Sequence, residues 1–188
     1  IENVGLSKKK IAVIYFSQYD DVNLAAEEIA ETLGADLLKI EPSIPYEESD
    51  FIEGNENSRR LLEARFNPLA EETEEMINDY PASYGIEETE AAIVSEPAKV
   101  TELPAINRIN VNRYDTIFLG YPIWYNDAPK VIYTFTKDLK NKTIIPFTTS
   151  RDGMLTASED NLVNFIDESV ELMSGLQFTG TATASEIN

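Results

Sequence analysis

Along the chain, short unbroken apolar runs alternate with stretches in which apolar residues recur every three or four positions. "IAVIYF", residues 11–16, is a continuous β-branched and aromatic run of the kind that fills a strand buried on both faces. In "DVNLAAEEIAETLG", Val22, Ala25, Ala26, Ile29 and Leu33 fall at helical spacing. Asp20 or Asp21 stands where an N-cap belongs, and Gly34 where a helix C-cap belongs. "ADLLKI" reads as a second strand. Strand, helix and strand within about thirty residues make a βαβ unit and imply a parallel sheet.

The region from Glu41 to Asn112 is different. It holds "EPSIPY", the polar stretch "EGNENSRR", a predicted helix around "SRRLLEARF", an acidic helical stretch "AEETEEMIND" and another helical segment, "IEETEAAIVSE", that stops at Pro97. This is far more chain than a crossover helix needs, so residues 42–112 are expected to be an insertion between the second and third strands of one domain spanning 1–188. The pattern resumes at "YDTIFLGYPIW", where Ile117, Phe118 and Leu119 form a buried-strand run ended by Gly120 and Pro122. A helix follows, with Pro129 predicted as its first residue and "KVIYTFTKDL" as its body. "KTIIPFTTS" is the fourth strand and "RDGMLTASED" a loop. "NLVNFIDESVELM" is a helix with Leu162, Phe165, Ile166 and Val170 on one face, and "LQFTGTATA" is the fifth strand. The pattern predicts an α/β fold of parallel strands with helical crossovers.

Charge and composition narrow the chemistry. The 188 residues carry 34 acidic and 15 basic side chains, for a formal net charge of −19. That balance argues against nucleic acid and anionic membrane surfaces and favours a basic partner protein. No apolar run is long enough to cross a bilayer, so no membrane insertion is expected. A cytoplasmic location is expected, although Ile1 in place of methionine leaves room for a removed signal peptide. The chain has neither cysteine nor histidine. Thiolate chemistry, His-containing triads and the usual zinc sites are thereby excluded, which points to binding or to chemistry done by a cofactor.

In an open parallel sheet, ligands lie beyond the carboxyl ends of the strands, at the switch in strand order. Three segments should meet there: Ser17, Gln18, Tyr19, Asp20, Asp21, Val22 and Asn23 after the first strand; Gly120 to Pro129 after the third; and Thr148 to Ala157 after the fourth. The middle one contains Trp124, the only tryptophan, beside Tyr125. Two adjacent aromatics at a sheet rim suit a planar ring, or simply cover the sheet edge.

"YDTIFLGYPIWYNDAPKVIYTF" resembles the third-strand motif of a flavodoxin group that reads approximately YDTIFLGYPIWWG followed by an APxxxxTF helix. "LKNKTIIPFTTSRDG" is similar to that group's SGKTIIPFCTSGG, "AEEIAETLGADLLKIEP" to its AEEIAEKLGADLFEIEP, and "ENSRR" echoes its PNSR. The resemblance implies a flavodoxin-like three-layer sandwich with strand order 2-1-3-4-5 and a noncovalent FMN used for electron transfer. It places the phosphate in the first loop, where Ser17 matches the leading serine of SxTGNT. It places the ring in the second, at Pro122, Ile123, Trp124, Tyr125 and Asn126, with Trp124 and Tyr125 at its two stacking positions. The third loop, Thr149, Ser150, Arg151, Asp152 and Gly153, would edge the ring.

The departures from that pattern concern charge. TGNT becomes Tyr19, Asp20, Asp21 and Val22, so two hydroxyls and a glycine are lost and two carboxylates gained. A helix N-terminus holds phosphate through backbone N–H groups and its dipole, and carboxylates oppose this. One unit pair about 4 Å apart costs on the order of 4 kcal/mol at an effective dielectric near 20. Asp127 and Asp152 add two acids to the same rim, against Lys130 and Arg151 as nearby cations. Structural use is an alternative, with one aspartate capping the helix and the other complementing its dipole. Two functional readings therefore stay open: an FMN-binding electron-transfer protein of weakened affinity, or a degenerate flavodoxin fold that has lost FMN and serves as a binding or interaction module.

Overall fold

The computed structural model describes residues 10–19, 21–69, 100–150 and 155–178. Strand β1 (Ile11–Tyr15) leads into helix α1 (Val22–Leu33) and strand β2 (Asp36–Lys39). A 3-10 turn (Glu48–Phe51) and helix α2 (Arg59–Arg65) come next, within the expected insertion. Strand β3 (Thr116–Gly120), helix α3 (Lys130–Thr136), strand β4 (Thr143–Thr148) and helix α4 (Leu155–Val163) follow. The short strands β5 (Glu171–Leu172) and β6 (Leu176–Gln177) end the described chain.

All strand pairs are parallel and the order is β2-β1-β3-β4-β5, with β6 continuing alongside β4. This is the 2-1-3-4-5 arrangement that the motifs imply. Side chains alternate across the central strands. Ala12, Ile14, Ile117, Leu119 and Ile144 face one core with α3 and α4, whereas Val13 and Phe147 face the other with Val22, Ala25, Ala26 and Ile29 of α1. Gly34 ends α1 in the left-handed conformation, with φ 59°, as its position in the sequence leads one to expect. At Gly120, a Cβ would clash with the ring of fully buried Phe147, its partner on β4, so the pairing of β3 with β4 leaves no room for a side chain there.

Three boundaries differ from expectation. Pro129 is the N-cap of α3 and not its first residue. The last helix runs from Leu155 to Val163 instead of 161–173: the Phe165 and Ile166 N–H groups close a turn on the Leu162 carbonyl, and an Asx turn follows in which the Asp167 carboxylate accepts both the N–H and the hydroxyl of Ser169, at 3.0 and 2.6 Å. The fifth strand is split and starts early, at Glu171. Its break faces Pro146. In a parallel ladder a residue's N–H and C=O point to the same neighbour. The carbonyls of Ile144 and Thr148 accept from Met173 and Phe178, so Pro146 also faces the fifth strand, on the side where it has no N–H to offer. The predicted helical stretches "AEETEEMIND" and "IEETEAAIVSE", and most of "TGTATA", lie outside the described residues.

The two ends of the inserted segment are clasped to each other. Pro42 bridges Ile106, and the Asn107 side chain accepts the Glu41 N–H at 2.9 Å while donating to the Lys39 carbonyl at 3.0 Å. Between them, α2 opens with Ser58 as its cap, accepting from the Leu61 N–H. Buried Glu63 on α2 accepts the Tyr46 hydroxyl and pairs with Arg59, whose guanidinium also lies 4.3 Å from the Tyr46 ring centre. Burial and the Glu63 charge push the Tyr46 hydroxyl far above its ordinary pKa, so it stays a proton donor. This network carries the inserted aromatics Tyr46 and Phe51 onto the main core.

Candidate functional site

The first loop leaves β1 through Phe16, whose N–H bonds the Gly120 carbonyl at 2.9 Å and whose ring is buried. The Ser17 hydroxyl donates to Asn23 Oδ1 at 3.5 Å, tying the loop to the first turn of α1. Gln18 is half-buried. Tyr19 has φ 58° and is 67% exposed, so its ring reaches the surface beside Phe51, centre to centre 4.9 Å and edge-on. Asp20 lies outside the described residues. Asp21 occupies the N-cap position, but only its backbone caps: its carbonyl accepts from Leu24 and Ala25, and its exposed carboxylate makes no capping bond. Val22 is buried under the helix and Asn23 is half-buried.

After β3, Tyr121 continues the ladder by donating to the Phe147 carbonyl at 3.1 Å, and Pro122 is buried. The Ile123 N–H donates to the Ser150 hydroxyl at 2.8 Å, which joins the second loop to the third. Trp124 and Asp127 exchange two backbone hydrogen bonds of 2.9 and 3.0 Å around Tyr125 and Asn126, whose φ values are 53° and 61°. This is a two-residue turn of the I′ kind, suited to asparagine and unusual for an aromatic. It leaves Tyr125 45% exposed at the mouth while Trp124, 7% exposed, turns inward. In the third loop, Thr148 is buried, Thr149 is half-buried, and Ser150 is held by its N–H to the Thr148 hydroxyl and by Gln177, which donates to its carbonyl. Arg151, Asp152 and Gly153 lie outside the described residues.

Two expectations change here. Trp124 does not present an open face, because Phe16, Tyr46 and Phe51 surround it edge-on, with ring centres 5.5, 5.1 and 5.7 Å away. Asp127 is not a free charge on the rim. Its carboxylate bonds the buried Lys130 ammonium at 2.8 Å, the Tyr133 hydroxyl at 2.8 Å and its neighbour's N–H at Ala128. One acid and one cation of the expected rim thus cancel as a pair. Burial and the Asp127 charge also raise the Tyr133 hydroxyl far above its ordinary pKa, so it remains protonated and donates to that carboxylate.

Reasoning on the sequence missed Tyr46, Phe51 and Arg60, all from the inserted segment. Arg60 lies over three rings, 4.6 Å from the centre of Phe51, 4.8 Å from Trp124 and 5.6 Å from Tyr125. The sequence carried one signal, the "ENSRR" echo that ends in Asn57 to Arg60, without saying which arginine faces where. In the structure Arg59 is the one committed to Glu63 and Arg60 the one at the cleft. The loops after β1, β3 and β4 therefore meet at one place, and the donor set there is a helix N-terminus, a serine-bonded turn, exposed tyrosines and an arginine. Such a set fits a planar ring with an anionic tail better than the net charge of the chain suggests.

A family model described as flavodoxin matches residues 10–84 and 91–188. No curated protein matches the chain. Among solved structures, a candidate flavoprotein from Bacteroides eggerthii is 27% identical, with 94% of this chain and 91% of that one covered and a TM-score of 0.70. Another candidate flavoprotein, from Bacteroides uniformis, shares the fold at 24% identity, with 95% and 96% covered and a TM-score of 0.72. A flavoprotein from Lactobacillus acidophilus, crystallised in complex with FMN, shares the fold at 17% identity, with 90% and 93% covered and a TM-score of 0.59. With the 2-1-3-4-5 sheet, the three loops at its carboxyl edge and the match over nearly the whole length, this chain belongs to the flavodoxin family.

Proposed function

We propose that this protein binds FMN noncovalently where the three loops meet and passes electrons through it to or from a basic redox partner. The observation that supports this most is the weld between loops. The 2.8 Å bond from the Ile123 N–H to Ser150, and the contact of Phe16 with Trp124, hold all three segments at the carboxyl edge of the sheet. Bound FMN would supply one- or two-electron chemistry that no side chain of this protein offers. The chain's own part is to bind and orient. Ser17 and the start of α1 would receive the phosphate through backbone donors and the helix dipole. Tyr125 and Tyr19 would flank the ring, and Thr149 and Ser150 would edge it. Neutralisation of Asp127 by Lys130 removes one of the charges that argue against an anionic ligand. The acidic surface, with its net charge of −19, would steer a basic partner.

A second reading is favoured by the covering of Trp124 by Tyr46, Phe51 and Arg60: a flavodoxin fold that has given up FMN and acts as an interaction module. An FMN fluorescence titration separates the two. Saturable quenching at micromolar FMN or below is the expected outcome, and free fluorescence up to millimolar FMN would establish the interaction-module reading instead.

A further inference from the structure

Two other cations described near the cleft have partners: Lys130 pairs with Asp127, and Arg59 with Glu63. Asp50, the carboxylate that acts electrostatically on Arg60, accepts the backbone N–H groups of Arg59 and Glu47. Among the described residues the Arg60 guanidinium makes no ion pair, and its Nε is buried without a hydrogen-bond partner. Desolvation lowers its pKa, against the raising effect of Tyr125, Asp50 and Tyr46. Cation–π contact with Phe51, Trp124 and Tyr125 offsets part of that loss but satisfies no N–H donor.

The surroundings show what kind of partner would. Tyr125 is held at a φ that bulky residues rarely adopt, with its ring exposed next to the guanidinium. Tyr19, likewise at positive φ and exposed, meets Phe51 from the opposite loop. A weakly hydrated planar fork over Phe51 and Tyr125, with exposed Tyr19 on the far side of Phe51, suits a flat, conjugated ligand with electronegative atoms on its edge. Ser17 and Asn23, where the FMN reading puts the phosphate, belong to a different loop from the aromatics that Arg60 touches.

We propose that Arg60 is the residue by which the cleft recognises the carbonyl edge of a planar conjugated ring, with Tyr19 and Tyr125 flanking that ring. This rests on the FMN reading above and assigns the ring-edge contact within it. Calorimetric titration of FMN, and of riboflavin, which has the same ring without the phosphate, into the unaltered protein, R60Q and R60K tests it. R60Q is expected to weaken both ligands by the same factor, about tenfold or more. R60K, which keeps the charge but not the fork, is expected to weaken both by about threefold. Affinities for both ligands that are unchanged in R60Q would overturn the proposal and leave the FMN reading standing. A loss confined to FMN would also overturn it, because Arg60 would then be reading the phosphate. If the unaltered protein binds neither ligand at millimolar concentration, both the proposal and the reading under it fall. Thermal unfolding with Trp124 fluorescence checks that R60Q folds; if it does not, R60K decides, and unchanged affinity for both ligands overturns the proposal.

Discussion

Asp127 shows how a residue's neighbours, and not its type, fix its role. In the sequence it is one more acid near a binding loop. In the fold it receives Lys130, Tyr133 and the Ala128 N–H at once, and Lys130 is almost fully buried. Removing one partner of such a pair leaves a buried charge without compensation. Asp127→Ala is therefore expected to destabilise the protein by about 3 kcal/mol in urea unfolding, far beyond the range of exposed ion pairs. A loss below about 1 kcal/mol would mean that solvent already screens the pair. Trp124 makes the converse point. Its place in a rim loop and its resemblance to a stacking position were legible from the sequence, but three of the groups that cover it, Tyr46, Phe51 and Arg60, come from chain more than sixty residues away. No local pattern links them.

At the scale of elements, the first four strands and the helices after the first and third of them formed close to where the pattern puts them. The misplaced boundaries lie where side chains compete with the backbone. The fifth strand splits opposite Pro146, which cannot donate, and the last helix stops short of the Asx turn at Asp167. That turn carries a pH signature. The Ser169 hydroxyl and N–H, helped by Lys140, hold the Asp167 carboxyl down from 3.8 to about 2. A depressed carboxyl pKa contributes stability that is fully present above the unfolded value and is lost as pH falls through the folded one. The stability difference between the unaltered protein and Asp167→Asn should thus be constant above about pH 5 and disappear between about pH 4 and pH 2. Denaturant unfolding across that range checks it; a difference that persists unchanged at about pH 2 would show that the turn, and not its charge, matters.

Over the whole molecule, a net charge of −19 on 188 residues sets a background that no single pair removes. The exposed pairs Arg113–Asp36 and Lys140–Asp167 are each worth little, whereas repulsion among the excess acids acts on the compact state everywhere. Raising ionic strength from about 0.01 M to about 1 M shortens the screening length from about 30 Å to about 3 Å, so the melting temperature is expected to rise with salt. A fall would mean that attractive pairs outweigh the repulsion. By itself the sequence determined the α/β class, the parallel sheet and the three loops at its carboxyl edge, because hydrophobic period, glycine caps and turn residues act over a few positions. It also determined the absence of thiol and imidazole chemistry. The tertiary structure decided, among the described residues, which charges at the cleft are paired, which aromatics are covered and that Arg60 makes no ion pair. The covering of Trp124 and the placing of Arg60 depend on long-range contacts between the inserted segment and the rim loops, whose partners become neighbours only when the chain folds.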